Sequence, residues 1–167
     1  MVATMADRFD RTDRWITRWM AEHGMLLLRI ALGIVFFWFG ALKLVPGASP
    51  AEGLAGQTIE RLTAGLLPAA TAVPALGLWE VAIGIGLFIG RGMRVTLLLL
   101  FVQMLGTVAP LVLFPTETFT NFPWAPTLEG QYIIKNVVLV AAAIVLGATV
   151  RGGQLTAEAP RRPWAGA

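Results

Sequence analysis

The sequence has no cysteine, only one histidine and only one tyrosine. Without thiols, disulfide exchange, thiolate catalysis and cysteine-ligated metal or iron–sulfur centres are excluded. One histidine, His23, is too few for a protein-held haem or zinc site, so no metal site and no catalytic residue is assigned. Charge is scarce as well. Asp, Glu, Lys and Arg together make up 14% of the 167 residues, where soluble domains carry about 25%. A chain so poor in charge, 56% hydrophobic and with a mean hydropathy of +0.71, belongs in a lipid bilayer. The sequence pI near 10.2 invites a nucleic-acid reading. The arginines, however, are scattered at the ends of apolar segments and form no patch, so no nucleic-acid partner is expected.

What is present is four long apolar segments, about 25–45, 73–90, 93–114 and 131–150, each near the roughly 20 residues needed to cross a hydrocarbon core. No small-residue cleavage site follows the first, which reads as a retained span and not as a signal peptide. The fold class that follows is all-α, an integral membrane four-helix bundle over residues 25–150. Arg8, Arg11, Arg14 and Arg18 precede span one, Arg91 and Arg94 occupy the turn between spans two and three, and Arg151, Arg161 and Arg162 follow span four. The opposite loops hold only Arg61, with Lys43 and Lys135 at span edges. By the positive-inside rule both termini are cytoplasmic.

The connecting pieces carry their own signals. Residues 1–24 form an amphipathic cytoplasmic segment, with Ile16, Trp19 and Met20 at helical spacing among alternating charges. They predict a helix lying in the inner interface. After span one, Ser49 as N-cap, Pro50 at the first helical position and Glu52 as capping-box partner predict a short outer interfacial helix to about Leu66. Its apolar half is Leu54, Ala55, Ile59, Leu62 and Leu66. Residues 115–130, with Phe119, Phe122 and Trp124, read as an aromatic belt on an irregular loop. Residues 151–167 read as a disordered cytoplasmic tail.

An ionisable residue at the bilayer centre costs about 3 kcal/mol or more, so it faces the bundle interior or a partner. Arg29, Gly33, Phe36, Gly40 and Lys43 share one stripe of span one. Glu80, in the apolar run "GLWEVAIGIG", is flanked by Gly77 and Gly84. Thr96, Gln103, Gly106, Thr107 and Pro110 align on span three, and Tyr132, Lys135 and Ala142 on span four, with Asn136 to one side. Small residues beside polar ones fit a closely packed bundle with a polar seam. Span one runs outward and span two inward, and side chains lean toward a helix N-terminus. Lys43 therefore leans into the membrane and Glu80 leans up toward it. Lys135 lies at a depth similar to Glu80, so which lysine pairs with Glu80 stays open. The expected outer-leaflet cluster is Glu80, Lys43 and Lys135, with Gln103, Asn136, Tyr132, Gln131 and Glu129 around it and Trp79 packed beside it. The cluster reads as a register-fixing salt bridge, as a ligand or proton site, or as a subunit contact. Arg29, near the inner boundary, is expected to snorkel to lipid phosphates.

"LRIALGIVFFWFGALKLVPG" (Leu28–Gly47), "LGLWEVAIGIGLFIG" (Leu76–Gly90) and "TLEGQYIIKNVVLV" (Thr127–Val140) resemble the DoxX-like superfamily of small bacterial four-helix membrane proteins, with the YkgB branch closest. The resemblance implies a multi-pass protein of the bacterial inner membrane. It also implies an association with redox chemistry: relatives include a subunit of a thiosulfate:quinone oxidoreductase, and others are linked to oxidative stress. Arg29, Lys43, Glu80, Glu129, Gln131, Lys135 and Asn136 carry over by motif, with no catalytic role attached. Three functions stay open. The first is a redox-associated subunit that binds a quinone or small anion and works with a redox partner protein carrying the cofactor. The second is a non-catalytic scaffold or assembly factor, and the third a small transporter, which four short spans would form only as a homo-oligomer.

Overall fold

The computed structural model describes residues 5–157. The expected tail lies outside the described residues from position 158 onward, as do Arg161 and Arg162. Ten elements follow in order. Helix α1 runs Met5–Leu42, α2 Glu52–Leu62, α3 Ala69–Ile89, α4 Met93–Val108, α5 Pro110–Leu113 and α6 Pro115–Thr118. Strands β1 (Phe119–Asn121) and β2 (Ala125–Pro126) come next, then helices α7 (Leu128–Lys135) and α8 (Val137–Thr149). Among the described residues four stretches are long and apolar enough to cross a membrane: Arg8–Leu42, Ala69–Ile89, Met93–Leu113 and Leu128–Thr149. The all-α four-span architecture read from the sequence is the one observed.

The first difference is at the start. The amphipathic segment is helical, but it is not a separate interfacial element. It is the first half of the 38-residue α1, which at 1.5 Å per residue is about 57 Å long, nearly twice a hydrocarbon core of about 30 Å. No proline interrupts it, and Asp10 and Arg14 pair one turn apart at 2.5 Å, which favours continuing the helix. Gly24 alone is too weak a breaker to separate the two parts.

The outer elements also depart from expectation. Helix α2 begins at Glu52 with Ala51 as N-cap and no side-chain cap, so the Ser49 capping box does not form. The Glu52 carboxylate instead accepts from the Gly47 N–H at 2.8 Å. Gly56 and Thr58 are buried while Leu62 and Leu66 are exposed. The helix docks through its smallest residue: a Cβ on Gly56 would stand 2.8 Å from the Cβ of Ala69. Residues 119–126 form a two-stranded antiparallel hairpin pairing Phe119 with Pro126, where an irregular loop was expected. Phe122 and Trp124 stay exposed on it, as an aromatic belt requires.

Spans three and four are each interrupted once. Pro110, which has no N–H, ends α4 and starts α5. Asn136 separates α7 from α8, its N–H bonding to Ile133 O one turn back at 3.1 Å.

The core is made by Leu32 and Phe36 of α1, Ile83 and Leu87 of α3, Leu97, Leu100 and Met104 of α4, and Ala143 and Leu146 of α8. Helices α1 and α3 run antiparallel and touch most closely. A Cβ on Gly84 would fall 2.6 Å from the Phe37 N, and one on Gly40 would fall 2.7 Å from the Glu80 Cβ and 2.9 Å from the Gly77 O. Glycines seven residues apart on both helices thus open a groove for the partner backbone, the small-residue interface that membrane helices use. The core separates two polar sites. Lys43 and Glu80 lie at the end with the long loops, and Arg29 lies at the end with the termini.

Candidate polar site in the bundle

Lys43 stands in the turn directly after the last residue of α1, Glu80 in the middle of α3 and Gln103 in α4. The Lys43 Nζ donates to Glu80 Oε2 at 2.6 Å, and the Gln103 Nε2 donates to Glu80 Oε1 at 2.9 Å. All three are buried, at 9%, 6% and 9% exposure. Lys43 also points back toward the Phe39 carbonyl, at 3.4 Å. Both carboxylate oxygens are engaged and the pair is neutral. Gln103 must present its nitrogen to Glu80, because a carboxylate only accepts. Its Oε1 is then left buried, with no hydrogen-bond donor among the described residues.

This settles which lysine pairs with Glu80. Lys135 does not reach it; the side chain is exposed, with Nζ 5.7 Å from the centroid of its own helix neighbour Tyr132. Tyr132 is 63% exposed, and Gln131 and Glu129 are exposed too. None of the four joins the triad. The inward stripe of the fourth span is Ile133, Asn136 and Ala143, not Tyr132, Lys135 and Ala142. It is offset by one residue, because Ile133 and Ala143 can be buried without leaving a charge unpaired. Asn136 is half-buried on that stripe, outside the triad. On span three the expected alignment holds for Thr96, Gln103 and Pro110, which are buried, but not for Gly106, which is exposed. Trp79 reaches α4, where its Nε1 donates to Leu99 O at 3.1 Å and ties α3 to α4.

Arg29, at the opposite end of the bundle, has a protein partner that the sequence did not announce. Its Nη1 donates to the carbonyl of Leu87 at 3.0 Å and lies 3.5 Å from that of Phe88. The guanidinium thus rests on the C-terminal end of α3, where helix carbonyls lack partners and the dipole favours a cation. His23 is spent locally, stacked on Trp19 at 5.1 Å with Nδ1 bonded to the Trp19 carbonyl.

Two features escaped the sequence reading. One is the orphan Gln103 oxygen. The other is a groove of about 1040 Å³ at the terminal-bearing end, lined by Glu22, Arg29, Arg91 and Arg94 among apolar residues. The run "GRGMR" at Gly90–Arg94 was its signal, read only as a marker of topology.

With four membrane-spanning stretches and a buried polar triad in place, the comparison with known families is decisive. The DoxX family model matches residues 24–114. The chain belongs to the DoxX family. The matched region contains α1 from Gly24 onward, α2 to α5 and all three residues of the triad. The match is to the DoxX family as a whole and does not single out the YkgB branch. No curated protein and no solved structure matches the chain. The protein is thus a multi-pass membrane protein of the DoxX family.

Proposed function

We propose that this DoxX protein is a subunit of a redox- or oxidative-stress-associated assembly in the bacterial inner membrane, and that Lys43, Glu80 and Gln103 form its ligand site. Both termini then face the cytoplasm, as the arginine distribution favours, and the triad lies in the outer leaflet. The observation that supports the reading is one atom. The Gln103 Oε1 is a buried acceptor without a donor, an arrangement that costs roughly 1–3 kcal/mol unless something donates to it. The chemistry of that something is constrained. Glu80 already neutralises Lys43, so a small anion finds no free charge there. A neutral hydroxyl donor fits, and among the ligands implied by the resemblance that is the quinol form of a quinone. The redox cofactor itself is carried by a partner protein.

Equilibrium titration of the purified protein with a short-chain quinol and with its quinone tests this. Saturable quinol binding that Gln103→Leu removes is the expected result. Absence of saturable binding by either form defeats the proposal.

A second reading is favoured by a different observation: Glu80 spends one oxygen on Lys43 and the other on Gln103. A closed neutral triad joining α1, α3 and α4 can serve as a structural lock in a scaffold or assembly factor. Under that reading variants that break the Lys43–Glu80 pair change folded yield, and oxidant resistance follows the amount of protein in the membrane.

A further inference from the structure

The end of the bundle that bears the termini holds a second polar site, independent of the triad. Gly90 ends α3 and Gly92 begins α4, both in the left-handed region at φ +70°. This two-glycine turn reverses the chain within three residues. It sets Arg91 and Arg94 beside Arg29 of α1, and the three line the groove of about 1040 Å³ together with Glu22. Three guanidinium groups against one carboxylate leave a surplus of two positive charges.

The donors are available. Arg29 meets the α3 carbonyls through Nη1 alone, so its Nη2 and Nε have no acceptor among the described residues. Arg91 and Arg94 are exposed, with no ion pair or hydrogen bond to any described residue. Met93 and Arg94, at the start of α4 where helix N–H groups lack intrahelical acceptors, line the same groove. The remaining walls are largely apolar, with Met25, Leu26, Ile89, Val95, Leu146 and Val150, and the Thr149 hydroxyl among them is already bonded to Leu146 O. Leu26, Ile89 and Val95 are mostly exposed. A cationic head beside an apolar wall, at the end of membrane-spanning helices, complements a molecule with an anionic phosphate and a hydrocarbon tail.

We propose that this groove binds an anionic phospholipid. Arg91, Arg94 and the free edge of Arg29 hold the phosphate, and an acyl chain lies along α1, α4 and α8. Arginine suits the role because its planar fork meets phosphate oxygens in pairs. Glu22 at the rim disfavours a second negative group, so a headgroup with a single phosphate and an uncharged polyol fits best.

The test uses the full chain, purified in detergent and stripped of lipid. Phosphatidylglycerol, phosphatidylcholine, inorganic phosphate and glycerol phosphate are titrated separately, with bound lipid counted by native mass spectrometry and thermal stability read in parallel. The expected result is saturable retention of phosphatidylglycerol with a rise in melting temperature, and little response to phosphatidylcholine. In R91Q/R94Q the preference for phosphatidylglycerol falls about 30-fold. In R8Q/R11Q, which removes two arginines outside the groove, it stays. Equal retention of both lipids by the unaltered protein overturns the proposal whatever the variants do. So does a response to inorganic phosphate as strong as to the lipid, which marks a soluble-anion site. A preference unchanged in folded R91Q/R94Q overturns it as well.

Discussion

The Cβ of Lys43 stands over Gly77 and the Cβ of Glu80 against Gly40, so the two residues sit about one helical turn apart in depth, yet Nζ and Oε2 meet at 2.6 Å. Each side chain leans toward the N-terminus of its own helix, and because α1 and α3 are antiparallel the two lean toward each other. The approach of Lys43 Nζ to the Phe39 carbonyl, one turn back, records that lean. The glycines and the ion pair are therefore one device: without a glycine at 40 and 77 the backbones stand too far apart for the side chains to meet.

Removing one partner leaves the other charged and buried. Glu80→Gln or Lys43→Met should cost about 3–5 kcal/mol of stability, whereas Lys43→Met with Glu80→Met should recover most of it. Thermal unfolding in detergent, with folded yield after size exclusion, measures this. Equal losses in the single and double variants would show that the pair contributes nothing as a pair.

The glycine seam has an internal control. Gly40→Ala forces a Cβ to within 2.7 Å of the Glu80 Cβ, whereas nothing lies within 4 Å of a Cβ at Gly24. Both changes raise helix propensity by about 1 kcal/mol, so Gly24→Ala should hold or raise the melting temperature. Gly40→Ala should lower it, since the clash costs at least a further 1–3 kcal/mol. If both substitutions stabilise alike, α1 and α3 are not in backbone contact.

How much of this was legible from residues alone follows from what each residue type permits. The stripe Arg29, Gly33, Phe36, Gly40 and Lys43 could be read because a charge and a glycine in an apolar helix each have few tolerable surroundings. The lean of Lys43 toward Glu80 follows from backbone geometry alone. The fourth span was misplaced by one residue because Tyr132, Lys135 and Asn136 sit near its outer end. Polar side chains there can face outward at little cost, so their presence does not mark the inward face. The continuity of α1 was missed for a related reason: charge composition marks where the lipid begins, not where a helix ends. Pairing of the outer hairpin depends on contacts between Phe119 and Pro126 that no period announces.

Arg29 gives a prediction distinct from its part in the lipid groove. Its Nη1 caps the Leu87 and Phe88 carbonyls, so Arg29→Gln should loosen the end of α3. Hydrogen exchange at residues 89–92 should accelerate, with a loss of about 1–2 kcal/mol in overall stability. Lipid stripping should not reproduce that local effect, because the capped carbonyls belong to the protein. Unchanged exchange at the α3–α4 turn would show that the guanidinium serves lipid alone.

Lys135 should behave as its exposure indicates. Lys135→Met removes a charge that faces outward over Tyr132, so stability should change by less than about 0.5 kcal/mol. A loss comparable to that of Lys43→Met would mean that Lys135 does reach the carboxylate.

Gln103 separates the two readings of the triad. Gln103→Leu removes one hydrogen bond to Glu80, which costs about 1.5–3 kcal/mol when the acceptor is charged. The same change abolishes the orphaned Oε1 and returns a comparable amount, so the net effect on the melting temperature should be small. Oxidant resistance of the host then decides. If the triad is only a lock, Gln103→Leu keeps both folded yield and resistance, because Lys43 still neutralises Glu80. If the orphan oxygen receives a hydroxyl from a ligand, yield is kept and resistance is lost. Gln103→Glu sharpens the contrast: a second carboxylate beside Glu80 must either hold a proton or repel it. Yield should fall under both readings, as it would for any like-charge pair away from water.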